Sequence, residues 1–415
     1  MTAIAGTAAI NPSAAYSTRV TALCSLVVFV EGFNTQSVGY VAPELARAWR
    51  FSAGDMGLFI VLGLVGSMLG AAVIAPIADR LGRRPLLLAC VSSLGICALI
   101  TAINSSSVVL DPFRLLTGLA IGGALPNAIA LTSEYSPQRR RSTLVAIMYS
   151  GFTVGALTSG LVAAWLVPAL GGQSVFYAGS GLAILLTPVL FISLPESPRF
   201  LTSKRDDALH TSGGKMFVLF RDGRAHTTVL IWVIFFTALV DVFLITSWLT
   251  TTLSNLGVPT RDAIMVTVAF QIGGVFGISL GWLADRTSPG AVLPWAYLIG
   301  GISTAGIGLV GANVPLLTLS AFAAGVGLLG GQTVANSTVA IAYPSEIRAT
   351  GVGWAIGVGR VGSIVGPSIT ALFISMKVES QSIFLLAAIP ALCAAGAALF
   401  LARNAVFTIR SDLPA

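Results

Sequence analysis

The pattern of hydrophobic and polar positions divides the chain into twelve long apolar runs separated by short polar segments. Each run is long enough to cross a hydrocarbon core of about 30 Å as a helix. Hydrophobicity within the runs does not alternate with a period of two, and in lipid only helices or closed barrels satisfy every backbone polar group. We therefore predict an all-α integral membrane protein with twelve transmembrane helices. The runs lie near residues 20–43, 54–78, 85–103, 110–133, 142–167 and 174–194, and then near 227–254, 261–284, 290–311, 314–341, 350–375 and 380–402.

Polar segments at the ends and in the middle of the chain predict how it is divided. Six runs precede the central polar segment and six follow it, so two six-helix bundles are expected. The predicted parts are a cytosolic N-terminal tail (1–18), a six-helix bundle (19–194), a cytosolic central loop (195–225), a second six-helix bundle (226–402) and a cytosolic C-terminal tail (403–415).

The two halves carry similar residues at matched positions. The members of each pair are separated by 206 to 210 positions (285 − 79 at one extreme, 241 − 31 at the other). This near-constant separation predicts two pseudo-symmetric bundles, the parallel repeat of a large transporter fold whose substrate site lies between the halves. Ser52, with Asp55, and its counterpart Thr260 are also predicted to cap the starts of helices. The pairs are Asp79 and Asp285, Arg80 and Arg286, Asn127 and Asn336, Arg139 and Arg348, Glu31 and Asp241, and Ser52 and Thr260.

The composition excludes a soluble protein. Hydrophobic residues make up 55% of the chain and charged residues only 9%, whereas a soluble domain carries about 25% charged residues. The net charge of +7 does not indicate a nucleic-acid partner, because the basic residues lie in short loops between apolar runs. The four cysteines lack metal-ligand spacing, and the sequence contains no phosphate-binding loop and no nucleophile–base arrangement. We expect no cofactor, no resident metal ion and no enzymatic activity.

Arginine and lysine are distributed unevenly between the two sides of the predicted bundles. With both termini placed in the cytoplasm, 17 of these residues lie on the cytoplasmic side and only four lie outside. Cytoplasmic loops of membrane proteins carry such an excess. We therefore predict a multi-pass protein of the cell (inner) membrane with both termini cytoplasmic. The two remaining basic residues, Arg114 and Arg360, lie inside apolar runs.

Three motifs resemble those of the major facilitator superfamily. The loop after the second run, APIADRLGRR at 75–84, is similar to the loop signature of that superfamily, although Ala75 stands where a glycine is usual. A weaker copy, GWLADR, lies at 281–286, and PESPRF at 195–200 is a further match. The resemblance implies the major facilitator fold and secondary transport.

Within the superfamily the chain resembles the aromatic acid:proton symporters, such as those for benzoate and hydroxybenzoates. Their first-helix motif usually has two aspartates, and this chain has Glu31 and Asn34 instead, so one carboxylate stands where the family has two. The resemblance implies import of a small organic anion together with protons. The matching stretches are EGFNTQSVGYVAP at 31–43, GGALPN at 122–127, YPSEIRATGV at 343–352 and GRVGSIVGP at 359–367.

Two carboxylates lie deep in the predicted membrane. Glu31 is about a dozen residues into the first run, with Asn34 on the same helix face. A charge at that depth costs roughly 2.5–3.5 kcal/mol on insertion scales, so the carboxyl must face a wet cavity, pair with a cation or take a proton. We predict proton coupling by Glu31, with a structural tie to a neighbouring helix as the alternative. Asp241, its counterpart in the seventh run, either shares the proton role or pairs with Arg360.

Arg360, near the middle of the eleventh run, is predicted to bind the carboxylate of an anionic substrate. A guanidinium offers two parallel donors that match a carboxylate. The alternative is that Arg360 is a permanent partner of Asp241 or Glu31. Gly353 and Gly357 lie along one side of the same predicted helix and indicate close approach of a neighbouring helix.

Other polar and aromatic residues in the runs are candidates for substrate contact. Asn34, Asn127 and Asn336 have amides suited to hydrogen bonds with the substrate or with neighbouring helices. Tyr149 and Trp354 have rings that could stack on an aromatic substrate. The further candidates for stacking are Phe33, Tyr40, Phe152 and Trp248.

Charged residues near the helix ends are predicted to form gates. An aspartate at a helix end and a tight glycine turn with arginines can lock two helices in one state of alternating access, and the charge bias of cytoplasmic loops is the alternative explanation. Arg114 is expected to pair with Asp111 or to gate the outer end of the fourth run. The predicted gating residues are Asp79, Arg80, Gly82, Arg83, Arg84, Arg114, Glu134, Arg139, Asp285, Arg286, Glu346 and Arg348.

These features predict a proton-coupled secondary transporter that imports a small aromatic carboxylate by alternating access. A proton-coupled exporter of drugs or metabolites would have the same fold, and a membrane receptor that does not transport its ligand is a third hypothesis. The expected partners are a small organic anion, protons and the lipid bilayer, with no nucleic acid. The chain is expected to act as a monomer.

Overall fold

The computed structural model describes residues 14–137, 140–203, 216–221, 223–344 and 347–403. Twelve of its helices are long and apolar enough to cross a membrane, as the sequence predicts. Those of the first half are α1 (Ala14–Trp49), α2 (Ala53–Leu69) continued through a π-helical turn (Gly70–Ile74) into α3 (Ala75–Leu81), α4 (Arg83–Ile103), α5 (Ser107–Glu134), α6 (Arg141–Leu170) and α7 (Gln173–Ser193).

The second half repeats this arrangement after a short connection. The connection contains the short helix α8 (Pro198–Ser203) and a 3₁₀ helix (Met216–Phe220), so the predicted central loop is partly helical where it is described. The six spans that follow are α9 (Ala225–Asn255), α10 (Thr260–Arg286), α11 (Pro289–Leu309), α12 (Val314–Ala342), α13 (Arg348–Ser375) and α14 (Ser380–Ala402).

Helix starts confirm one prediction and correct two. Ser52 accepts a hydrogen bond from the Asp55 N–H while the Asp55 carboxylate accepts one from the Ser52 N–H, so the capping box is present. Thr260 is the first residue of α10 rather than its cap, because Pro259 occupies the N-cap position. Helix α1 begins at Ala14, inside the segment predicted as a tail.

Each half has its own apolar core, and small residues allow the helices of a half to approach closely. A Cβ added at Gly122 of α5 would overlap the carbonyl oxygen of Ser67 in α2. Between α1 and α6, a Cβ at Gly155 would overlap the Phe29 carbonyl oxygen in the same way. Such close approach is typical of membrane helices, where van der Waals packing rather than hydrophobic exclusion holds helices together.

The two halves contact each other on one side of the molecule. We call the side on which α1 begins and α14 ends the termini side, and the opposite one the far side. On the far side, Gly39 of α1 lies against the backbone of Thr246 in α9. Gly57 of α2 lies against Ala371 of α13 in the same region, so the helices of the two bundles touch nearly backbone to backbone.

Polar groups add to this far-side seal. The Tyr40 hydroxyl of α1 donates to the Ala156 carbonyl of α6 at 3.3 Å and lies near the side-chain amide of Gln271 in α10. The Thr260 hydroxyl of α10 donates to the Glu44 carboxylate at 3.0 Å. Among the described side chains, this hydrogen bond joins the two bundles directly. On the termini side, by contrast, a Cβ added at Gly353 of α13 would meet nothing within 4 Å. Among the described residues the bundles therefore meet on the far side, while α13 has open space beside it on the termini side.

Candidate functional site

Glu31 lies in the middle of α1 as a buried carboxylate without a partner. Its side chain is 1% exposed, and neither carboxylate oxygen has a hydrogen-bond partner among the described residues. Asn34 shares the helix face but is turned away from the second bundle: its amide donates to the Val30 carbonyl at 2.9 Å, and its side chain lies against Gly179 of α7. The structure thus gives Asn34 a packing position between α1 and α7.

Arg360 of α13 faces Glu31 from the other bundle. Its side chain is half-buried, and it forms no ion pair with any residue that the structure describes. Its positive charge acts on both the Glu31 carboxylate and the Tyr149 hydroxyl, so the three side chains form one electrostatic cluster between the bundles. A guanidinium held here without a protein carboxylate is free to bind an anion.

Tyr149 of α6 provides an aromatic surface beside that charge. The side chain keeps 47% of its surface accessible. It stacks on Phe152, with ring centroids 6.2 Å apart and an interplanar angle of 19°. The buried rings of Phe33, Tyr40 and Trp248 serve packing instead, since each is at most 1% exposed.

The helix α13 offers open space on the side that was expected to be packed. A Cβ at Gly353 or Gly357 would meet no atom within 4 Å, so the predicted close approach of a helix at these glycines is wrong. The close packing occurs at Gly362 and Gly366, where an added Cβ would overlap carbonyl oxygens of α9. The difference arises because α13 presents one face to α9 and another to the gap between the bundles.

The remaining residues predicted to contact substrate lie in different surroundings. Asn127 is buried and donates to the carbonyls of Gly123 and Ala75, at 2.7 and 3.3 Å, so its amide is occupied within the first bundle. Asn336 of α12 is exposed. Trp354 is 40% exposed and lies against Trp232 of α9, with ring centroids 6.0 Å apart. Asn336 and Trp354 are therefore accessible, whereas Asn127 is not.

Asp241 occupies the position in α9 that Glu31 has in α1, but it does not pair with Arg360. It is 0% exposed, both carboxylate oxygens lack partners among the described residues, and no neighbouring charge acts on it. The pairing that the sequence left open as one alternative is absent from this conformation. Asp241 is a second isolated carboxyl group in the protein interior.

A polar network joins helix ends of the first bundle on the termini side. The Glu196 carboxylate accepts hydrogen bonds from the N–H groups of Arg83 and Arg84 at 2.9 and 3.2 Å, and so satisfies the start of α4. Gly82 has φ +99°, and a Cβ there would overlap the Glu196 carboxylate. Arg83 lies 2.9 Å from Glu134, although the contact lacks hydrogen-bond alignment.

Sequence reasoning recognised the PESPRF motif but missed this role of Glu196. The Ser197 hydroxyl donates to Glu134, and the Tyr135 hydroxyl donates to the Glu196 carbonyl at 2.6 Å. The network thus links the α3–α4 turn, the end of α5 and the segment after α7. The one local signal for this role is an acidic residue just before a short helix, because the arginine-rich turn that it contacts lies more than 110 positions away in the sequence.

The other predicted gating residues are less connected. Arg80 is exposed, and Arg286 is exposed with its guanidinium 3.8 Å from the ring centroid of Trp282, one turn earlier. Arg84 donates to the Phe191 carbonyl and lies 5.7 Å from the centroid of that ring. Arg139 and Glu346 lie outside the described residues, and the side chains of Asp79, Asp285 and Arg348 are likewise not described.

Arg114 does not pair with Asp111, which was one of the two uses that the sequence left open. It is 7% exposed, packs against Gly63 of α2, and lies 5.3 Å from the ring centroid of Phe59. No described ion pair joins it to Asp111, which is half-buried and has an unpartnered oxygen. The Arg114 side chain turns from its own helix toward α2, where a cation–π contact replaces the ion pair.

Comparison with known proteins identifies relatives of this chain. The Major Facilitator Superfamily model matches residues 24–312 and again 231–411. The chain is 36% identical to the gallate transporter of Pseudomonas putida, covering 94% of this chain and 92% of that protein. It is 33% identical to the 4-hydroxybenzoate transporter PcaK of Pseudomonas aeruginosa (94% and 93%) and 34% identical to the 3-(3-hydroxy-phenyl)propionate transporter of Escherichia coli (91% and 92%).

Solved structures share the fold at much lower sequence identity. A bacterial homologue of the human lysosomal transporter Spinster is 18% identical, with a TM-score of 0.77 over 97% of this chain and 100% of that one. A D-xylose–proton symporter is 17% identical, with a TM-score of 0.75 over 94% and 98%. The twelve helices, the two halves and the sequence matches agree, and the chain belongs to the major facilitator superfamily and, within it, to the aromatic acid transporters.

Proposed function

We propose that this protein is a proton-coupled secondary transporter that imports a small aromatic carboxylate by alternating access. The observation that carries the proposal is the cluster of Arg360, Glu31 and Tyr149 between the two bundles. A cation without a protein partner, a buried carboxyl and an accessible ring are the groups needed for an anion, a proton and an aromatic ring, respectively. The relatives named as gallate, 4-hydroxybenzoate and 3-(3-hydroxy-phenyl)propionate transporters support the same substrate class.

The substrate carboxylate binds Arg360 in this proposal. Charge-assisted hydrogen bonds from a guanidinium fork are about twice as strong as neutral ones. The aromatic ring then lies toward Tyr149, whose ring is accessible on the other side of the gap. Trp354 and Asn336, both accessible, lie nearer the termini side and are reached on entry or exit.

Glu31 carries the proton that accompanies the anion. Import of an anion against a negative-inside potential is opposed by about 2.3 kcal/mol per charge per 100 mV, and one co-transported proton removes that opposition. Glu31 is buried and unpartnered in this conformation, which suits a neutral, protonated carboxyl. Occupation of Arg360 by the substrate anion neutralises the described positive charge that acts on Glu31, and so favours its protonated form.

The observed conformation corresponds to one end of the transport cycle. With the predicted orientation, the far side is periplasmic and the termini side is cytoplasmic, so the closed seal at Gly39 and Thr246 makes this an inward-open state. Rocking of the two bundles about the central site would open the far side and close the termini side, as in other transporters built from two repeats.

Transport by purified protein in liposomes tests the proposal. We expect radiolabelled gallate, 4-hydroxybenzoate or 3-(3-hydroxyphenyl)propionate to accumulate when the outside is more acidic than the lumen. Dissipating the pH gradient with a protonophore should abolish accumulation but leave counterflow of labelled against unlabelled substrate intact.

The alternatives give different results in the same assay. A proton-coupled exporter would expel substrate as protons enter. An acidic exterior would then drive efflux from preloaded liposomes, and the labelled acid would not accumulate. A receptor would bind the labelled acid without counterflow. Either result with all three acids would contradict the proposal.

A further inference from the structure

A second buried carboxyl, Asp241, remains outside the proposed mechanism. It lies in the interior of α9, at the pseudo-symmetric counterpart of Glu31, and is 0% exposed. Both of its carboxylate oxygens are buried and without hydrogen-bond partners among the described residues. The sequence position and the burial are independent observations, and both indicate that Asp241 is the equivalent of Glu31 in the second bundle.

No described charge compensates this carboxyl. The helices packed against α9 are α1, α10, α12, α13 and α14, together with the 3₁₀ helix of the connection. None of their described ionisable side chains forms an ion pair or hydrogen bond with Asp241, and no charge acts on it. The ionisable side chains on these helices are Tyr16, Arg19, Cys24, Glu31, Tyr40, Glu44 and Arg47 of α1, Arg261, Asp262, Asp285 and Arg286 of α10, Arg348 and Arg360 of α13, and Cys393 of α14.

An ionised carboxylate in such surroundings is costly. Burial of a charge without a partner is so unfavourable that the group neutralises instead. A protonated acid at this position carries no charge and leaves only ordinary polar atoms to accommodate. The geometry therefore corresponds to Asp241 with a proton bound.

The far-side seal lies next to Asp241. Thr246, which touches Gly39 of α1, is five residues further along α9, or about 7 Å at 1.5 Å per residue. When the bundles separate on the far side, α9 loses this contact and the region around Asp241 gains a route to water on that side. One turn toward the termini side, Thr237 is only half-buried on the same helix face. Asp241 thus lies between a seal that opens and a part of α9 that is already accessible.

We propose that Asp241 is a second proton-carrying site, so that two protons cross with each substrate anion. This inference rests on the proposed function. One proton on Glu31 balances the charge of the anion, and the second, on Asp241, makes each cycle carry one net positive charge inward. Inward transport is then driven by the membrane potential as well as by the pH gradient.

Potential-driven accumulation with no pH gradient tests the proposal. A potassium-diffusion potential of −100 mV is imposed on liposomes with equal pH inside and outside, and the labelled acid that the wild type takes up is measured. One net charge per cycle predicts a steady-state ratio of about 50-fold, because 100 mV corresponds to roughly 2.3 kcal/mol and tenfold to 1.4 kcal/mol. Asp241→Asn should accumulate substrate under a pH gradient but reach a ratio near one under the potential alone. Asp241→Glu is the control that should retain the wild-type response.

Two outcomes overturn the proposal while leaving the proposed function standing. The first is wild-type uptake that follows the pH gradient but ignores the potential. The second is an Asp241→Asn variant that keeps the full response to the potential. Absence of transport by the wild type would instead contradict the proposed function.

Infrared difference spectroscopy examines Asp241 independently of transport. The spectrum of the wild type should contain a C=O stretching band of a protonated carboxylic acid that Asp241→Asn lacks and Glu31→Gln retains. A missing band at neutral pH would refute a proton on Asp241 even if no acid were transported. Thermal unfolding of Asp241→Asn checks that the variant is folded, and we expect it to be as stable as the wild type because the substitution keeps the shape and removes no hydrogen bond.

Discussion

Arg360 and Glu31 face each other from different bundles and interact through their charges, yet they do not form an ion pair. The separation leaves the guanidinium free to bind another anion and the carboxyl free to take a proton. A closed ion pair would hold both charges permanently and would fix the two bundles in one arrangement. The open relationship is the structural basis of the proposed coupling, since each residue depends on what the other has bound.

Substitution of Arg360 should weaken substrate binding without destabilising the protein. Hydrogen bonds to charged groups contribute about 1.5–3 kcal/mol, so Arg360→Gln should raise KM about 10- to 100-fold. Arg360→Lys keeps the charge but loses the planar fork, so its KM should lie between those of the wild type and Arg360→Gln. Initial uptake rates over a range of substrate concentrations give KM. Thermal unfolding should show unchanged stability, because Arg360 forms no ion pair with any described residue. An unchanged KM in Arg360→Gln would exclude it from the binding site.

The Tyr149 ring should contribute to aromatic specificity. Aromatic pairs contribute roughly 0.5–1.5 kcal/mol beyond area burial, so Tyr149→Ala should raise KM for an aromatic acid by about 2- to 10-fold. Tyr149→Phe keeps the ring and its stacking on Phe152 and should bind nearly as well as the wild type. Cyclohexanecarboxylate serves as the control substrate, since it lacks a π-system. If Tyr149→Ala raised KM equally for the aromatic and the aliphatic acid, Tyr149 would shape the cavity without stacking on the substrate ring.

Gly82 should be indispensable for the termini-side network. Its φ of +99° belongs to a region that costs other residues about 1–3 kcal/mol, and an added Cβ would overlap Glu196. Gly82→Ala should therefore lower the thermal unfolding temperature and free the start of α4. Gly396→Ala is the matched control, because a Cβ there meets nothing within 4 Å. Similar unfolding temperatures for the two variants would show that Glu196 moves aside at little cost.

Enlarging Gly39 should shift the protein toward the opposite conformation. A side chain there would overlap the Thr246 backbone, so Gly39→Val should force the bundles apart on the far side and together on the termini side. Labelling of an Asn336→Cys reporter by a membrane-impermeant maleimide should fall in this variant. The background is Cys393→Ser, which removes the one exposed cysteine among the four described, since Cys24, Cys90 and Cys97 are buried.

Gly181→Val is the control for this labelling experiment. Gly181 lies in α7 with open space around its Cβ position, so the same side chain is added without pressing on the seal. Reporter labelling in Gly181→Val should equal that of the background. If Gly39→Val labelled equally well, the far-side contact would not determine the conformation.

The sequence predicted the helices well because their signal is local. Lipid requires a continuous apolar run for each span, so all twelve spans and the Ser52 capping box followed from the pattern alone. The π-helical turn at Gly70–Ile74, which packs against α5, was not predicted, since an apolar run of this kind does not distinguish a π turn from an α turn. The early start of α1 at Ala14 was missed because small polar residues carry little helical pattern.

Side-chain direction was the part that sequence could not supply. Glu31 and Asn34 share a helix face, but rotation of α1 turns Asn34 onto Gly179 of α7. Arg114 was expected to use a neighbour in its own helix and instead turns to Phe59 of α2. In both cases the outcome depends on how a helix is rotated against its neighbours, which periodicity alone does not determine.

The far-side seal was missed for a related reason. Tyr40 is predicted as a stacking ring, but it is buried near Gln271. Glu44 is not among the predicted site residues, although it accepts a hydrogen bond from Thr260. Both pairs of residues are more than 200 positions apart in the sequence. One sequence must be compatible with every conformation of the transport cycle, so its pattern does not indicate which contacts belong to which conformation.

Glu31→Gln tests the central claim most directly, with gradient-driven accumulation and counterflow measured on the same proteoliposomes. If the deep carboxyl carries the proton that accompanies the anion, this neutral variant still exchanges labelled for unlabelled aromatic acid across the membrane. It should, however, concentrate that acid less than the wild type does under an acidic exterior, and the double variant Glu31→Gln/Asp241→Asn should not concentrate it at all. Full wild-type accumulation by Glu31→Gln under the same pH gradient would contradict the account.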